Sequence, residues 1–370
     1  MSATLEKMTQ EQTPSERWSK PVQWYRTPIE PAVLKKLHER SDAFGWLQTL
    51  GYLGTLVLTG GLAFYSTGRW PWWATVLLTF LHGTCYAFQI NAVHELGHGT
   101  VFKTKPLNVF FEHLFAFLGW INHRMFDVSH VRHHQFTLHP PDDMEVVLPV
   151  KYYIKNIFKF GFFNPLHMKW AVPETLRIAR GKFRGEWEEA LFPAGDPAKR
   201  QNMMNWARFV LVGHTLIVVG SIVAAFLVHP RYLMIPLLTT LAGTYGGALF
   251  LSLNNTQHIG LQDNVPDFRL CCRTILINPV AQFLYWHMNY HIEHHMYAAV
   301  PCYKLGQLHR AIKHDLPPCP RGVVATWKEI SSIVDRQDKE PNFQFAQACP
   351  NPRPKDIDQR RPAGLQPAGA

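Results

Sequence analysis

The sequence has no C-x-x-C pair. Its six cysteines, Cys85, Cys271, Cys272, Cys302, Cys319 and Cys349, show no even spacing. This argues against a disulfide framework and reads as reduced thiols in a core or on a cytosolic side. The first 20 residues are polar and hold no apolar run of the kind a signal peptide needs, so no cleaved leader is expected. There is no G-x-G-x-x-G to hold a dinucleotide and no internal repeat. Acid is scarce: 27 Asp and Glu face 37 Lys and Arg, for a net charge of +10. That excess points to an anionic partner, nucleic acid or a membrane surface. Twelve tryptophans favour the membrane.

Long apolar runs are plentiful. Four approach the ~20 residues that a helix needs to span a bilayer: 44–66, 72–93, 207–228 and 232–253. Short connectors, TGRWP and HPR, join them in pairs, so each pair reads as a hairpin. Trp70, Trp72 and Trp73 sit at one turn, as interfacial aromatics do. Of the 37 Lys and Arg, only Arg69 and Arg231 lie in these turns. Arg208 lies at the start of the third run, and the other 34 belong to the N-terminal arm, the long middle section and the C-terminal part. The positive-inside rule places those three regions in the cytosol. An even number of crossings does the same, so charge and span count agree.

The expected fold is therefore an all-α integral membrane protein. Residues 1–43 form a cytosolic arm. Residues 44–340 form a four-span bundle of two hairpins with a cytosolic helical cap. Two shorter apolar stretches, 108–121 and 278–286, read as interfacial or re-entrant helices, or as lids on the bundle. Residues 151–205 mix charges and aromatics, as amphipathic surface helices do. The Pro-, Gly- and Gln-rich stretch 341–370 is expected to be disordered.

Histidine carries the chemistry. HELGH places His94 and His98 at i and i+4, just past the second apolar run. HVRHH places His130, His133 and His134 at i, i+3 and i+4, and HIEHH repeats that spacing with His291, His294 and His295. On a helix each set shares one face. NNTQH adds His258 after the fourth run, with Asn254 four residues earlier. The expected topology brings all of these to the cytosolic face. So many imidazoles in one volume repel if protonated and lack partners if dry; metal coordination removes both problems. Nine histidines exceed the ligand set of one ion, so two ions are expected.

HELGH also fits the zinc-protease pattern H-E-x-x-H, with Glu95 as base. That alternative leaves both H-x-x-H-H boxes unexplained. A membrane metal carrier or sensor is a further alternative, but no ion-path carboxylates lie inside the runs.

The three boxes, in this order and at these positions, resemble the membrane fatty acid desaturase superfamily, over roughly residues 42–313. The stretch MNYHIEHHMYAAVPCYKLGQLH is similar to its bacterial-type branch, which includes lipid desaturases and hydrocarbon oxygenases. The resemblance implies a histidine-held di-iron centre with His94, His98, His130, His133, His134, His258, His291, His294 and His295 as ligands. Asn254 is a weaker ligand candidate, acting through water. His287 is read as a hydrogen-bond partner or lid residue rather than a ligand. Glu95, Glu293, Asp127, Asp142 and Asp143 are expected to orient ligand imidazoles. The other histidines are read as ordinary polar residues, with partners expected for His82 and His214 inside the runs.

The implied reaction is O2-dependent oxidation of an unactivated C–H bond in an acyl or alkyl chain. Desaturation ranks first, hydroxylation second and oxidative decarboxylation to a terminal alkene third. The sequence has no H-P-G-G of a fused cytochrome b5. Electrons are thus expected from a separate ferredoxin, rubredoxin or cytochrome b5 with its reductase.

Overall fold

The computed structural model describes residues 21–351. After a short helix, α1 (Pro31–His38), Ser41 caps the first long helix by accepting from Phe44 N. That helix, α2 (Asp42–Ser66), turns back through residues 67–71 into α3 (Trp72–Tyr86). The chain bends at 87–88 and continues as α4 (Gln89–Gly97), so that Trp72–Gly97 forms one apolar segment ending at the first histidine box. Helix α5 (Lys105–Leu118) packs along α4, and α6 (His123–Phe136) carries the second box. Three helices fill the stretch 151–205: α7 (Ile154–Gly161), α8 (Leu166–Ala179) and α9 (Gly185–Leu191). Helix α10 (Pro197–Leu227) follows and exposes Phe209, Val212, Leu216, Val219 and Phe226 along its length.

Among the described residues, three helices are long and apolar enough to cross a membrane: α2, the α3–α4 segment and α10. The fourth expected span, 232–253, is not one helix. It breaks into α11 (Met234–Leu238), a 3₁₀ turn (Ala242–Thr244) and α12 (Ala248–Asn254). Pro236, Gly243, Gly246 and Gly247 account for the break. Gly246 has φ +77°, and a Cβ there would lie 2.6 Å from Thr84 N, so only glycine fits.

The break frees backbone groups that apolar surroundings cannot satisfy, and side chains meet them. The Tyr245 hydroxyl donates to Leu237 O at 2.8 Å, His82 Nε2 to Leu238 O at 2.8 Å, and Trp120 Nε1 to Thr240 O at 3.1 Å. His214 Nδ1 lies 3.0 Å from the Thr240 hydroxyl, and its Nε2 donates to Phe117 O. These are the partners that the sequence left unnamed for His82 and His214.

The remaining helices build the cap: α13 (Phe268–Cys271), α14 (Pro279–Leu284), α15 (His291–Met296), α16 (Leu305–Ile312) and α17 (Gly322–Lys339). Two buried arginines lock it. Arg269 is held by Asp267 at 2.8 Å and Asp315 at 2.6 Å, and Arg273 donates to Thr256 O and reaches Glu329. The arm contributes a strap, in which Tyr25 bridges Asp267 and Thr27 donates to Asp315.

The tail expected to be disordered from 341 is packed as far as 351. Phe345 N donates to Gly260 O, and the Gln347 amide donates to both Arg269 O and Cys272 O. Asn351 Nδ2 donates to Asp315. Composition registers the prolines and glutamines but not the open carbonyls that this segment satisfies. Residues 1–20 of the arm and 352–370 of the tail lie outside the described residues. Among the described residues there is no strand, only isolated bridges.

Candidate metal centre

The ends of α4, α6 and α15 converge, and the nine histidines fall into two groups. His94, His98, His130, His134 and His294 form one; His133, His258, His291 and His295 form the other. Within each group the facing nitrogens all lie within 4.8 Å of one another. Helix α6 serves both groups, since His133 turns away from His130 and His134. Helix α15 does the same, with His294 in the first group and His291 and His295 in the second.

The nitrogens meet in pairs that no protein hydrogen bond explains well. His130 Nε2 and His134 Nε2 are 2.9 Å apart, His134 Nε2 and His294 Nε2 3.1 Å, and His258 Nε2 and His291 Nε2 2.9 Å. The buried Nε2 atoms of His94, His98 and His295 have no partner at all. Two nitrogens bound at right angles to one ion at ~2.1 Å would stand ~3 Å apart, so the residues fit a metal in each group.

Protonation state agrees. Burial, then the neighbouring imidazoles, holds His134, His291, His294 and His295 well below the ordinary imidazole range. Burial takes His98 and His258 down to about 3. Neutral imidazole is the form a metal binds.

Behind the nitrogens stand acceptors that fix the tautomer. Glu95 Oε1 is 2.9 Å from His94 Nδ1, Glu145 Oε1 2.9 Å from His130 Nδ1, and Asp143 Oδ2 2.8 Å from His133 Nδ1. His258 Nδ1 donates to Cys271 O, and His295 Nδ1 lies 3.1 Å from the Thr137 hydroxyl. Burial pulls His133 down, but the Asp143 carboxylate outweighs it and leaves the ring above its ordinary value. Burial would raise Glu145; hydrogen bonding and the charge of His130 bring it down to about 2.

The model of the family described as "Fatty acid desaturase" matches residues 71–327, from the start of α3 to within α17. The chain belongs to the fatty acid desaturase family. No curated protein matches it. Membership makes it an oxidoreductase of the O2-dependent, fatty-acid-oxidising kind, in a family of membrane proteins that generally uses two irons, an acyl substrate and an electron carrier.

For this desaturase-family chain, the zinc-protease alternative lacks its base: Glu95 is 1% exposed and sits behind His94, not in front of it. Other expected residues stand apart. His287 belongs to neither group; its Nδ1 bonds the Gln282 amide at 2.8 Å, and burial takes it down to about 4. Asn254 is the last residue of α12, four positions before His258. Glu293 is buried but turns to Thr274 and His309 rather than to a clustered histidine. Asp142 pairs with Arg132. Asp127 joins Glu112 and His123 in a third cluster, where His123 Nδ1 is 2.8 Å from Glu112 and 3.4 Å from Asp127.

Sequence reasoning missed Glu145, Thr137 and Cys271 O. The acidic run DDME after the second box was the available signal for Glu145.

A cavity of about 390 Å³ lies between α6, α8 and α10. Its walls are mostly apolar and include Met125, Ile178, Trp206, Ala207 and Val210. Phe126 separates it from the histidines, with its ring stacked on His130 at 5.1 Å and 7°.

Proposed function

We propose that this chain holds two iron ions and uses O2 to oxidise an unactivated C–H bond of a medium- or long-chain fatty acyl or alkyl substrate, with desaturation as the outcome. The observation that carries this reading is the division of nine histidines into groups of five and four, with their Nε2 atoms turned inward. The irons supply the oxidising power. In a desaturation, O2 takes four electrons, two from the C–H pair and two from the external carrier, and leaves as water.

The chain's own residues would do the rest. His94, His98, His130, His134 and His294 would hold one ion, and His133, His258, His291 and His295 the other. Glu95, Glu145 and Asp143 keep a proton on Nδ1 and so present Nε2 to the metal. The cavity beside Phe126 would take the acyl chain along its apolar walls, Met125, Ile178, Trp206 and Val210.

The membrane arrangement belongs to the same proposal. The broken segment 232–253 would cross with the three continuous helices, placing the arm, the middle section and the C-terminal part together in the cytosol. The split of basic residues supports this side.

The test is expression in a host with supplied iron, followed by analysis of lipids and headspace hydrocarbons. A new double bond in a host acyl chain is the expected result. A hydroxylated chain would establish oxygen insertion, and a terminal alkene would establish decarboxylation. Metal analysis finding one ion per chain, with no lipid changed, would overturn the reading.

A further inference from the structure

Seven of the nine clustered histidines are buried; His98 and His134 keep part of their surface. Both belong to the group of five, and His134 lies on the partly exposed face of α6. On that face Arg124 is exposed and Val131 is 55% exposed, an apolar side chain one turn before His134.

The strap from the arm ends its crossing there. Trp24 Nε1 donates to Gln135 O at 3.0 Å, one residue beyond His134. The indole, partly exposed, stacks on Phe268 at 4.0 Å between centroids and 13° between planes. Phe268 is fully buried and lies 5.4 Å from His295 in the group of four. A run of contacting π systems therefore leads from the surface to a clustered imidazole. The strap holds that indole in one place. Tyr25 N donates to Pro266 O at 2.9 Å, Arg26 Nε to Met296 O at 2.7 Å, and the Tyr297 hydroxyl to Thr27 O. Arg26 of the strap and Arg124 of α6 are both exposed and positive, and the carboxylate of Asp127, one turn along α6 from Arg124, is turned to His123 at 3.4 Å.

We propose that this face is the docking surface for a small acidic one-electron carrier protein, and that Trp24 positions the electron's entry through Phe268 to His295. The inference rests on the di-iron reading and adds the partner's place. Each carrier molecule docks reduced, loses one electron and leaves oxidised, so two are consumed for each substrate oxidised. Acidic carriers fit because their charge meets Arg26 and Arg124, and the exposed Val131 gives the contact an apolar centre.

The experiment uses the full chain in lipid nanodiscs, with plant-type ferredoxin and the soluble domain of cytochrome b5 as probes. Carrier affinity is measured on zinc-loaded protein, which needs no iron chemistry. Arg124→Glu should weaken binding of at least one carrier several-fold at low salt, and the difference should vanish at high salt. On iron-loaded protein, Trp24→Leu should slow oxidation of that carrier at least tenfold, with iron content and reduction by dithionite unchanged. Trp24→Phe should restore most of the rate. Equal carrier oxidation by wild type and Trp24→Leu at matched iron content would overturn the entry route. Failure of both carriers to bind, or affinity indifferent to Arg124→Glu, would overturn the docking face. If dithionite reduces no form of the protein, the di-iron reading has failed instead, and the affinity arm still decides the docking.

Discussion

Asp143 Oδ2 accepts from two directions at once: His133 Nδ1 lies 2.8 Å away and Leu138 N also 2.8 Å away. One buried carboxylate thus ties the second box to the turn that ends its helix. Asp143→Asn keeps the shape and removes the charge. It should lower metal affinity in the group of four about 10–100-fold and leave the group of five loaded. Metal analysis over a titration with a competing chelator would read this as one ion lost before the other. Simultaneous loss of both would contradict it.

His287 sits inside the richest histidine stretch of the sequence, yet it bonds Gln282 and reaches neither group. His287→Ala should keep full iron content and most of its turnover. His294→Ala or His133→Ala should abolish turnover while the chain still inserts, because the apolar helices carry insertion. Loss of iron in His287→Ala would place it among the ligands.

Ala207 is buried in the wall of the cavity, on the side facing α6. Ala207→Trp should fill that space and shift product formation to shorter acyl chains, or end it, with iron content unchanged. An unaltered chain-length profile, read by gas chromatography of the products, would remove the cavity from the substrate path.

His82 Nε2 donates to Leu238 O where the broken segment exposes its carbonyls. His82→Leu leaves that oxygen buried without a donor, at a cost of about 1–3 kcal/mol. The melting temperature in detergent should fall accordingly, and His214→Leu should behave alike. No change in either would mean that another donor moves in.

The strap should respond to alkali. Burial first, then the hydrogen bond to Asp315, raises the Tyr25 phenol from its ordinary 10.0 to about 12. A group whose folded pKa is raised contributes stability below its unfolded value and loses it as pH climbs through the folded one. The Tm advantage of wild type over Tyr25→Phe should therefore be full below pH 10 and shrink between 10 and about 12. An advantage that persists unchanged to pH 12 would contradict the assignment.

The histidines were legible because i, i+3, i+4 spacing on a helix leaves little freedom for where the rings point. Their division was not legible. His291, His294 and His295 share a face by spacing, and only the docking of α15 between α4 and α6 sends His294 to one group and its neighbours to the other. Glu145 escaped notice because it returns to His130 across a turn, which periodicity does not register. The break in the apolar run 232–253 was not legible because hydropathy sums residues and ignores what Pro236 and Gly246 do to the backbone between them. The packed segment up to Asn351 depends on carbonyls left open far away in sequence, at Arg269 and Cys272.

Both histidine groups draw members from α15, and the strap holds the last residue of that helix. Arg26 of the strap holds Met296 O, while Asn351 reaches Asp315, the same carboxylate that receives Thr27. During translation, a nascent chain that has released the first two boxes still lacks members of each group. A ribosome stalled before α15 therefore leaves a product in which neither histidine group is complete.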